Sequence, residues 1–587
     1  MKKWFVLSKK ADFYEIGKKF GIDPVIARII RNRDICSESA INEFLNGNLD
    51  DLHNPALMKG IEQAVFIIRQ KIVEKKPIRI IGDYDIDGIC STYILLKALK
   101  KCGARVDYDI PDRVKDGYGI NISLINKAYE DGIDTIVTCD NGIAATKQIE
   151  FAKELNMTVI ITDHHEIPFI ENEDMSRQEI IPDADVVVNP KQKTCLYPFK
   201  EICGAVVAFK LAWQLLISYD FTIADIMEYL EFAAIATVGD IVDLTGENRI
   251  IVKYGLKKLE NTQNIGLMAL KGVCNLSDKT ITSYHIGFVL GPCINASGRL
   301  DTAKLALSLF LEEDYEKANS IAQRLKELND ERKAMTLKGV DKAVEIIEKN
   351  KYYNDKVMVI YIPDCHESLL GIIAGRLKEK YYRPVFALSD GEQDIKGSGR
   401  SIENYNMFEE MVKCKEFFTK FGGHSMAAGL SLKKENIIPL KDKLNENTSL
   451  IDEDLIEKVL IDVPMPLSYI TEELINQLEL LEPFGKGNNK PVFAVKDIYL
   501  IEARVIGKNQ NVLKMKIREE NKAIMDGIFF DDIELFKNFL EAKYGKFEIE
   551  KLFKSYSDKV RISIVYYPQI NEYNGVKNVQ IVIKDYC

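Results

Sequence analysis

The chain has 587 residues, enough for three or four domains, and its 46% hydrophobic and 29% charged residues are the balance of a soluble globular protein, which excludes a fibrous or largely disordered chain. With 79 basic and 89 acidic residues the net charge is −10, so attraction to nucleic acid or anionic lipid is not a whole-molecule property and any polyanion site must be local. The eleven cysteines include no CxxC pair, the closest two being Cys195 and Cys203, which gives no disulfide or zinc framework and fits a reducing cytoplasm. The basic start turns polar at once, whereas a signal peptide needs ~7–15 apolar residues there. The most apolar stretch, Ala205 to Ile217, is interrupted by Lys210 and falls short of the ~20 residues that span a bilayer. A soluble, unexported protein without membrane attachment is expected.

Residues 1–55 read as a helical segment with Ile26, Ala27, Ile29 and Ile30 on one face. From Pro77 short β-rich runs (Ile78–Ile81, Val106–Ile110, Thr135–Thr138, Thr158–Thr162, Asp185–Val188) alternate with helical stretches (Ser91–Lys101, Ile122–Glu130 with Asn121 as its cap, Ala144–Leu155). That alternation predicts a mostly parallel, doubly wound sheet. More helix follows from Gly204 to Thr237. Glu312 to Lys351 has no proline, one glycine (Gly339) and dense Glu, Lys and Arg, which predicts a solvated helix about 60 Å long at ~1.5 Å per residue, acting as a strut between two domains. A coiled coil is the weaker reading, because Leu325 and Leu328 are not continued through several heptads. A second α/β unit follows (Val357–Ile362, Leu369–Lys380, Val385–Leu388), then the glycine-rich segments Gly397–Arg400 and Gly422-Gly423-His424. After residue 455 the helical pattern fades. Five β-like runs (Pro491–Val495, Val512–Ile517, Ile524–Phe530, Val560–Tyr567, Val579–Ile583), with an Asn574-Gly575 turn between the last two, suggest a small barrel of OB type.

Three of the first strands run into acidic clusters: Asp83-Tyr84-Asp85-Ile86-Asp87-Gly88, Asp140-Asn141-Gly142 and Asp163-His164-His165. In an open parallel sheet the ligand site lies beyond the carboxyl ends of the strands, so these clusters converge on one rim. Asp240, after an apolar helix, could close the ring. Several carboxylates within a few ångströms resist ionisation, and divalent cations remove that conflict. Mixed carboxylate and imidazole suits manganese, magnesium or zinc, and shared ligands suit two ions about 3.5–4 Å apart. Such a pair activates water and neutralises a phosphoryl group, which is phosphoester chemistry. Singly, each signal is a solvated loop or helix cap; jointly they point to metal.

The four acidic strings, with Val238-Gly239-Asp240 as the last, resemble the ordered motifs of the DHH phosphoesterases. Ile294–Arg299, Gly397–Ser401, Phe421–Gly429 and Glu482–Asn488 narrow the resemblance to the RecJ single-strand-specific exonucleases, from about residue 50 to the end. The resemblance implies an α/β fold divided into an N-terminal helical segment (1–55), a parallel-sheet DHH catalytic domain (56–270), a helical connector (271–350), a smaller DHH-associated α/β domain (351–454) and an OB-fold (455–587). DNA would thread between the first two globular parts through a channel admitting one strand. The resemblance also implies 5′-to-3′ hydrolysis of single-stranded DNA to mononucleotides, in recombination and repair, with two Mn2+ or Mg2+ ions. Asp83, Asp85, Asp87, Asp140, His164 and Asp240 would hold or adjoin the metals, and Asp140, Asp163 and His165 would be catalytic, His165 at the scissile phosphate or leaving oxygen. There are two departures from the pattern: Gly239 and Asp243 stand for alanine and proline, and Cys365–Leu370 lacks the glycine after its histidine.

Arg113 follows the second strand beside Gly117-Tyr118-Gly119. It either grips a terminal 5′-phosphate, as the resemblance implies, or pairs at the surface with Asp112 or Asp116. Arg299, Arg376, Ser398, Arg400, Gly422, Gly423 and His424 are further candidate DNA contacts. In the barrel, Tyr566, Tyr567, Tyr573, Phe529 and Phe530 accompany Lys514, Lys516, Lys559, Arg561 and Lys577, a mixture suited to stacking bases or, for most of the rings, to the core. The expected partner is single-stranded DNA, with a single-strand-binding protein and a helicase as candidates, and the expected state is a monomer in the cytoplasm. A DHH phosphodiesterase for short oligonucleotides or cyclic dinucleotides, and an inactive DNA-binding scaffold, are the alternatives.

Overall fold

A computed structural model describes residues 2–113, 116–171, 177–507, 509–520, 524–573 and 575–587. The chain forms two compact units, one of Asn48–Glu457 and the other of Met1–Gly47 with Lys458–Cys587. No helix among the described residues is long and apolar enough to cross a membrane.

In the larger unit five parallel strands lie in the order Val106–Asp109, Ile78–Ile81, Thr135–Cys139, Thr158–Thr162, Val186–Val188. Alternate side chains feed two cores: Ile80, Val137 and Ile160 pack under the helices Ile61–Val73, Ile86–Lys101 and Gly204–Ile217, and Ile81, Ile136 and Ile161 under Ile122–Glu130 and Thr146–Glu154. Burial on both faces explains why the strands read as near-continuous apolar runs. The strand order reverses between Ile78–Ile81 and Thr135–Cys139, so a crevice opens at their carboxyl ends.

The predicted strut spans Tyr315–Asn350, 36 residues or about 54 Å. It is not solvated all round. Ala318, Ala322 and Leu325 sit in the core of the first sheet's layer, and Ala343 and Ile347 in that of a second. That second layer holds five strands in the order Phe418–Gly423, Ala427–Leu432, Ile395–Arg400, Val385–Asp390, Met358–Tyr361, antiparallel except for the last pair, with the helix Leu370–Tyr381 against it. Gly397–Arg400 and Gly422-Gly423 of the glycine-rich segments therefore lie in strands. A Cβ on Gly397 would come 2.4 Å from Leu388, and on Gly399 2.3 Å from the Met407 sulfur, so the spacing of neighbouring side chains selects glycine there.

In the smaller unit five strands close on themselves in the order Phe493–Ile506, Val512–Arg518, Ile524–Phe529, Val576–Tyr586, Arg561–Tyr573 and back to the first. The third and fourth of that circuit are parallel, the remainder antiparallel. This is the expected barrel, with four of the five strands longer than predicted and Ile524–Phe529 one residue shorter; Asn574 of the predicted turn lies outside the described residues. The fading of helix beyond residue 455 is not observed: Glu472–Glu479, Ile533–Tyr544 and Lys546–Lys554 are helical, the last two packing Phe536, Leu540, Ile549 and Leu552 onto the barrel core. The N-terminal helices Phe13–Phe20, Pro24–Asn32 and Glu38–Asn46 add Ile26, Ile29, Ile30 and Phe44 to the same core. Ahead of them Lys3–Val6 pairs in parallel with Lys458–Ile461.

Leu325 is fully buried where the long helix meets the first core. Leu325→Ala should lower the urea midpoint followed by circular dichroism, at a cost of about 2–5 kcal/mol, whereas Leu325→Met should stay close to the parent.

A candidate metal centre beside an arginine cluster

The helix Ile86–Lys101 begins inside the first acidic motif. Asp85 caps it, its Oδ1 accepting from the amides of Asp87 (2.9 Å) and Gly88 (3.1 Å), and Asn295 Oδ1 takes the Ile86 amide at 2.8 Å. Asp87 is wholly buried, with its two oxygens accepting from Gly204 N and Ala205 N, both at 2.7 Å, at the positive end of the helix Gly204–Ile217. These close approaches need glycine: a Cβ would lie 2.4 Å from Asp83 O at Gly88 and 2.7 Å from Asp140 Cβ at Gly204. Asp140 has a left-handed backbone (φ 61°), which turns its carboxylate back over the sheet edge. Asn141 ties that turn down, donating to Ile81 O and Cys139 O and accepting from Ile120 N.

Three donor groups result, each with ligand atoms within 4.8 Å of one another: Asp83, Asp85 and Asp140; Asp140, His164 and His165; Asp87, His164 and Asp240. His164 Nε2 faces Asp140 Oδ1 at 3.2 Å, Asp87 Oδ2 at 3.5 Å and Asp240 Oδ2 at 3.9 Å. Thus the structure brings Asp83, Asp85, Asp87, Asp140, His164, His165 and Asp240 together. Asp163 does not. One of its oxygens accepts from the His164 and His165 amides and His165 Nδ1 (2.8 Å), the other from Ile143 N, so it orients His165 rather than facing the centre. Gly239 is explained by Ile86, whose side chain a Cβ there would meet at 2.6 Å.

The electrostatics are those of a site built for cations. Burial and then repulsion from Asp85 drive the Asp83 carboxyl well above its ordinary range, and burial with Asp87 does the same to Asp140. Burial and Asp85 push Asp87 to about 6; burial and Asp87 push Asp240 to about 7. Asp83 Oδ2 and Asp140 Oδ1 are buried without a hydrogen-bond partner among the described residues. Such orphaned carboxylate oxygens, beside an imidazole, fit hard divalent cations. Burial, then the charge of His165, lowers His164 and keeps it a neutral donor. Burial opposes protonation of His165, but its bond to Asp163 outweighs this and raises it to about 9. In the same pair burial would raise Asp163, and the His165 bond instead brings it to about 2.

Beside the metal centre stands a group of arginines. Arg113 lies over the Tyr84 ring at 4.7 Å. Arg299 Nη1 donates to Ser368 O at 2.7 Å, and Arg400 Nη1 to Gly399 O at 2.7 Å and Ser398 Oγ at 3.1 Å. Burial and then repulsion from Arg113, Arg332 and Arg400 lower Arg299 to about 9, so these guanidiniums share one region. Arg376 lies near Arg332, which it repels. Gly422 and Gly423 sit two strands from Ser398 and Arg400, about 10 Å at the usual strand spacing, with His424 just beyond and exposed. The missing glycine after His366 is compensated: Ser368 Oγ bonds His366 Nδ1 (2.7 Å) and Arg299 O (3.1 Å), which fixes the turn into the next helix. Sequence reasoning gave no role to Arg332, Tyr118 or Asn295. Arg332 is pinned by Asn329 Oδ1 (2.9 and 3.2 Å), and Asn329, buried on the same helix face as Leu325 and Leu328, was the available signal. Tyr118 OH donates to Asp140 O at 2.8 Å and lies 3.2 Å from His165 Nε2.

In the barrel, Tyr566 and Phe529 are core, Phe530 is exposed, and Lys514 and Lys516 pair with Asp526. Tyr567 lies under Lys490 at 3.7 Å, and Arg561 over Tyr499 at 4.2 Å.

A doubly wound sheet whose carboxyl edge gathers these acids and the Asp-His-His string defines a DHH-family protein: the DHH family N-terminal domain matches residues 77–237, the DHHA1 domain 354–452 and the RecJ OB domain 461–585. The chain is 37% identical to the single-stranded-DNA-specific exonuclease RecJ of Bacillus subtilis over 568 residues, 96% of this chain and 68% of that one. It is 31% identical to the Haemophilus influenzae RecJ over 97% of both chains. The crystal structure of Thermus thermophilus RecJ in complex with Mn2+ superposes with a TM-score of 0.81 at 25% identity, covering 100% of this chain and 79% of that one. The chain belongs to the RecJ single-stranded-DNA-specific exonuclease family.

The raised carboxyls set a pH dependence. Without metal, Asp87 and Asp240 hold protons more tightly folded than unfolded, where carboxyls titrate near pH 4. Their penalty is absent below about pH 4 and complete above about pH 7. The melting temperature in EDTA should fall from pH 5 to pH 8, and Mn2+ should raise it more at pH 8 than at pH 5. A midpoint in EDTA that instead climbs over that interval contradicts the crowding.

Proposed function

We propose that the protein is a metal-dependent exonuclease that degrades single-stranded DNA from its 5′ end to mononucleotides, in recombination and repair. The observation that carries this reading is the adjacency of two things: three overlapping donor groups, and an arginine cluster in which no guanidinium of Arg113, Arg299, Arg332 or Arg400 forms an ion pair with a described carboxylate. The first suits hydrolysis of a phosphodiester and the second suits the charge of a strand end. Family membership and the Mn2+ and Mg2+ complexes of the Thermus thermophilus protein support it.

Two Mn2+ or Mg2+ ions, when bound by Asp83, Asp85, Asp87, Asp140, His164 and Asp240, would supply Lewis-acid polarisation of the phosphoryl oxygens and a hydroxide at neutral pH. The chain's own residues do the rest. Asp163 holds Nδ1 of His165, which leaves Nε2 to carry a proton to the leaving 3′ oxygen. Tyr118 steadies that ring through its hydroxyl. Arg113, Arg299 and Arg400, with Ser398, receive the terminal 5′-phosphate, and Arg332 and Arg376 continue the positive path. A terminal phosphomonoester bears nearly two charges against one for an internal diester, so this cluster selects an end, which a metal centre alone cannot do.

The reading is tested by incubating the protein with 5′-labelled single strands, duplex and dinucleotides, with and without Mn2+. Mononucleotide release from single strands, faster from long strands than from dinucleotides and absent from duplex, only with metal, is expected. Asp140→Ala should abolish release with the fold intact; near-parental turnover would sink the metal assignment. Arg113→Ala should narrow the preference for 5′-phosphorylated over 5′-hydroxyl strands about ten- to hundredfold. An unchanged ratio in kcat/KM removes Arg113 as the end sensor.

A further inference from the structure

The segment Ser283–Leu300 is one continuous helical rod: a helical turn Ser283–His285, a π-helical turn Ile286–Leu290, and the helix Gly291–Leu300. Its carboxyl end carries Arg299, bonded across to Ser368. Its middle carries Asn295, which holds the amide of Ile86 in the acidic loop. At its amino end Tyr284 and Phe288 stack on each other, centroids 5.0 Å apart and planes at 26°, although 61% and 67% of their surfaces are exposed. The rod touches the fourth acidic motif there: a Cβ on Gly287 would sit 4.0 Å from Val238 Cγ1, two residues before Asp240. The residue after Asp240, Ile241, is 66% exposed and has φ 57°, a conformation that costs a β-branched side chain dearly and persists where function maintains it. π-Turns are likewise frequent at functional sites.

We infer that Tyr284 and Phe288 form a base-stacking platform for the single strand on the 3′ side of the scissile bond. This rests on the exonuclease reading and extends it. The rod places three functions in line: the seat for the 5′ terminus at Arg299, the support of the metal loop at Asn295, and the aromatic pair. The eleven residues from Phe288 to Arg299 correspond to about 16 Å. A strand whose end is held at Arg299 and whose phosphate lies at the metal loop continues toward the aromatic end. Stacking on a ring accepts any base, because every base has a π-face, so the platform holds sequence-independently. Paired bases keep their faces within the duplex, so the platform also favours single strands.

The test measures binding of a 20-nucleotide 5′-phosphorylated strand by fluorescence anisotropy in EDTA. The double variant Tyr284→Ala/Phe288→Ala should bind about tenfold more weakly. The dependence of affinity on salt should keep its slope, since no phosphate contact is lost. Hydrolysis of a dinucleotide in Mn2+, which ends before the platform, should match the parent. Should the double variant not fold, Tyr284→Leu/Phe288→Leu keeps the apolar bulk without either π-face and should show the same weakening. A 2-aminopurine stepped along the strand should be quenched at an interior position in the parent and not in the variant. Unchanged affinity with unchanged quenching overturns the platform and returns the aromatic pair to a protein partner. A shallower salt slope overturns it in favour of a phosphate contact. If the parent releases no nucleotide from any strand, the exonuclease reading falls, while the anisotropy arm still decides the platform.

Discussion

Negative charge is concentrated at the carboxyl edge of the parallel sheet faster than side chains neutralise it, and much of the larger unit is arranged around that excess. Backbone amides satisfy carboxylate oxygens of Asp83, Asp85, Asp87 and Asp163. Asp87 takes the first two amides of one helix, Asp85 caps another, and Asp163 spends both oxygens on amides and His165. Asp83 and Asp140 keep an oxygen with no hydrogen-bond partner among the described residues. Helix starts, the left-handed turn at Asp140 and the close backbone approaches at Gly88 and Gly204 follow from holding so many like charges within one crevice.

The part of this legible in the sequence was the part governed by local rules. Ile78–Ile81, Thr158–Thr162 and Ile122–Glu130 with its Asn121 cap were readable to the residue, because apolar runs and a capping side chain act within a few positions. The acidic strings could be placed on one rim because strand ends in a parallel sheet share an edge. What escaped depends on partners distant in sequence. Gly397 and Gly399 were not recognised as strand residues, since the side chains that demand glycine there, Leu388 and Met407, come from neighbouring elements. Asp163 looked like its neighbours by motif and differs from them only because Ile143 and His165 occupy its oxygens. The helices at 533–554 have charged outer faces that diluted their apolar period.

The long helix shows why composition alone misleads about solvation. Its dense charge suggested a free strut, yet one stripe is buried from Ala318 to Ile347. Because its two ends belong to different cores, the spacing between the metal centre and the sheet bearing Arg400 is set by helical rise, not by loops. Gly339 lets the helix come close to Ile373 of the second layer, and Asn329 uses the same buried stripe to hold Arg332.

The ladder between Lys3–Val6 and Lys458–Ile461 has a consequence for biosynthesis. The N-terminal helices bury Ile26, Ile29 and Ile30 against a barrel encoded more than four hundred residues later. At roughly 5–20 residues per second on the ribosome, their apolar face waits on the order of 20–80 s for its partner while the whole larger unit is made and can fold. During that interval the apolar face of these helices stays uncovered, and this unit can be completed only after the larger one has been made.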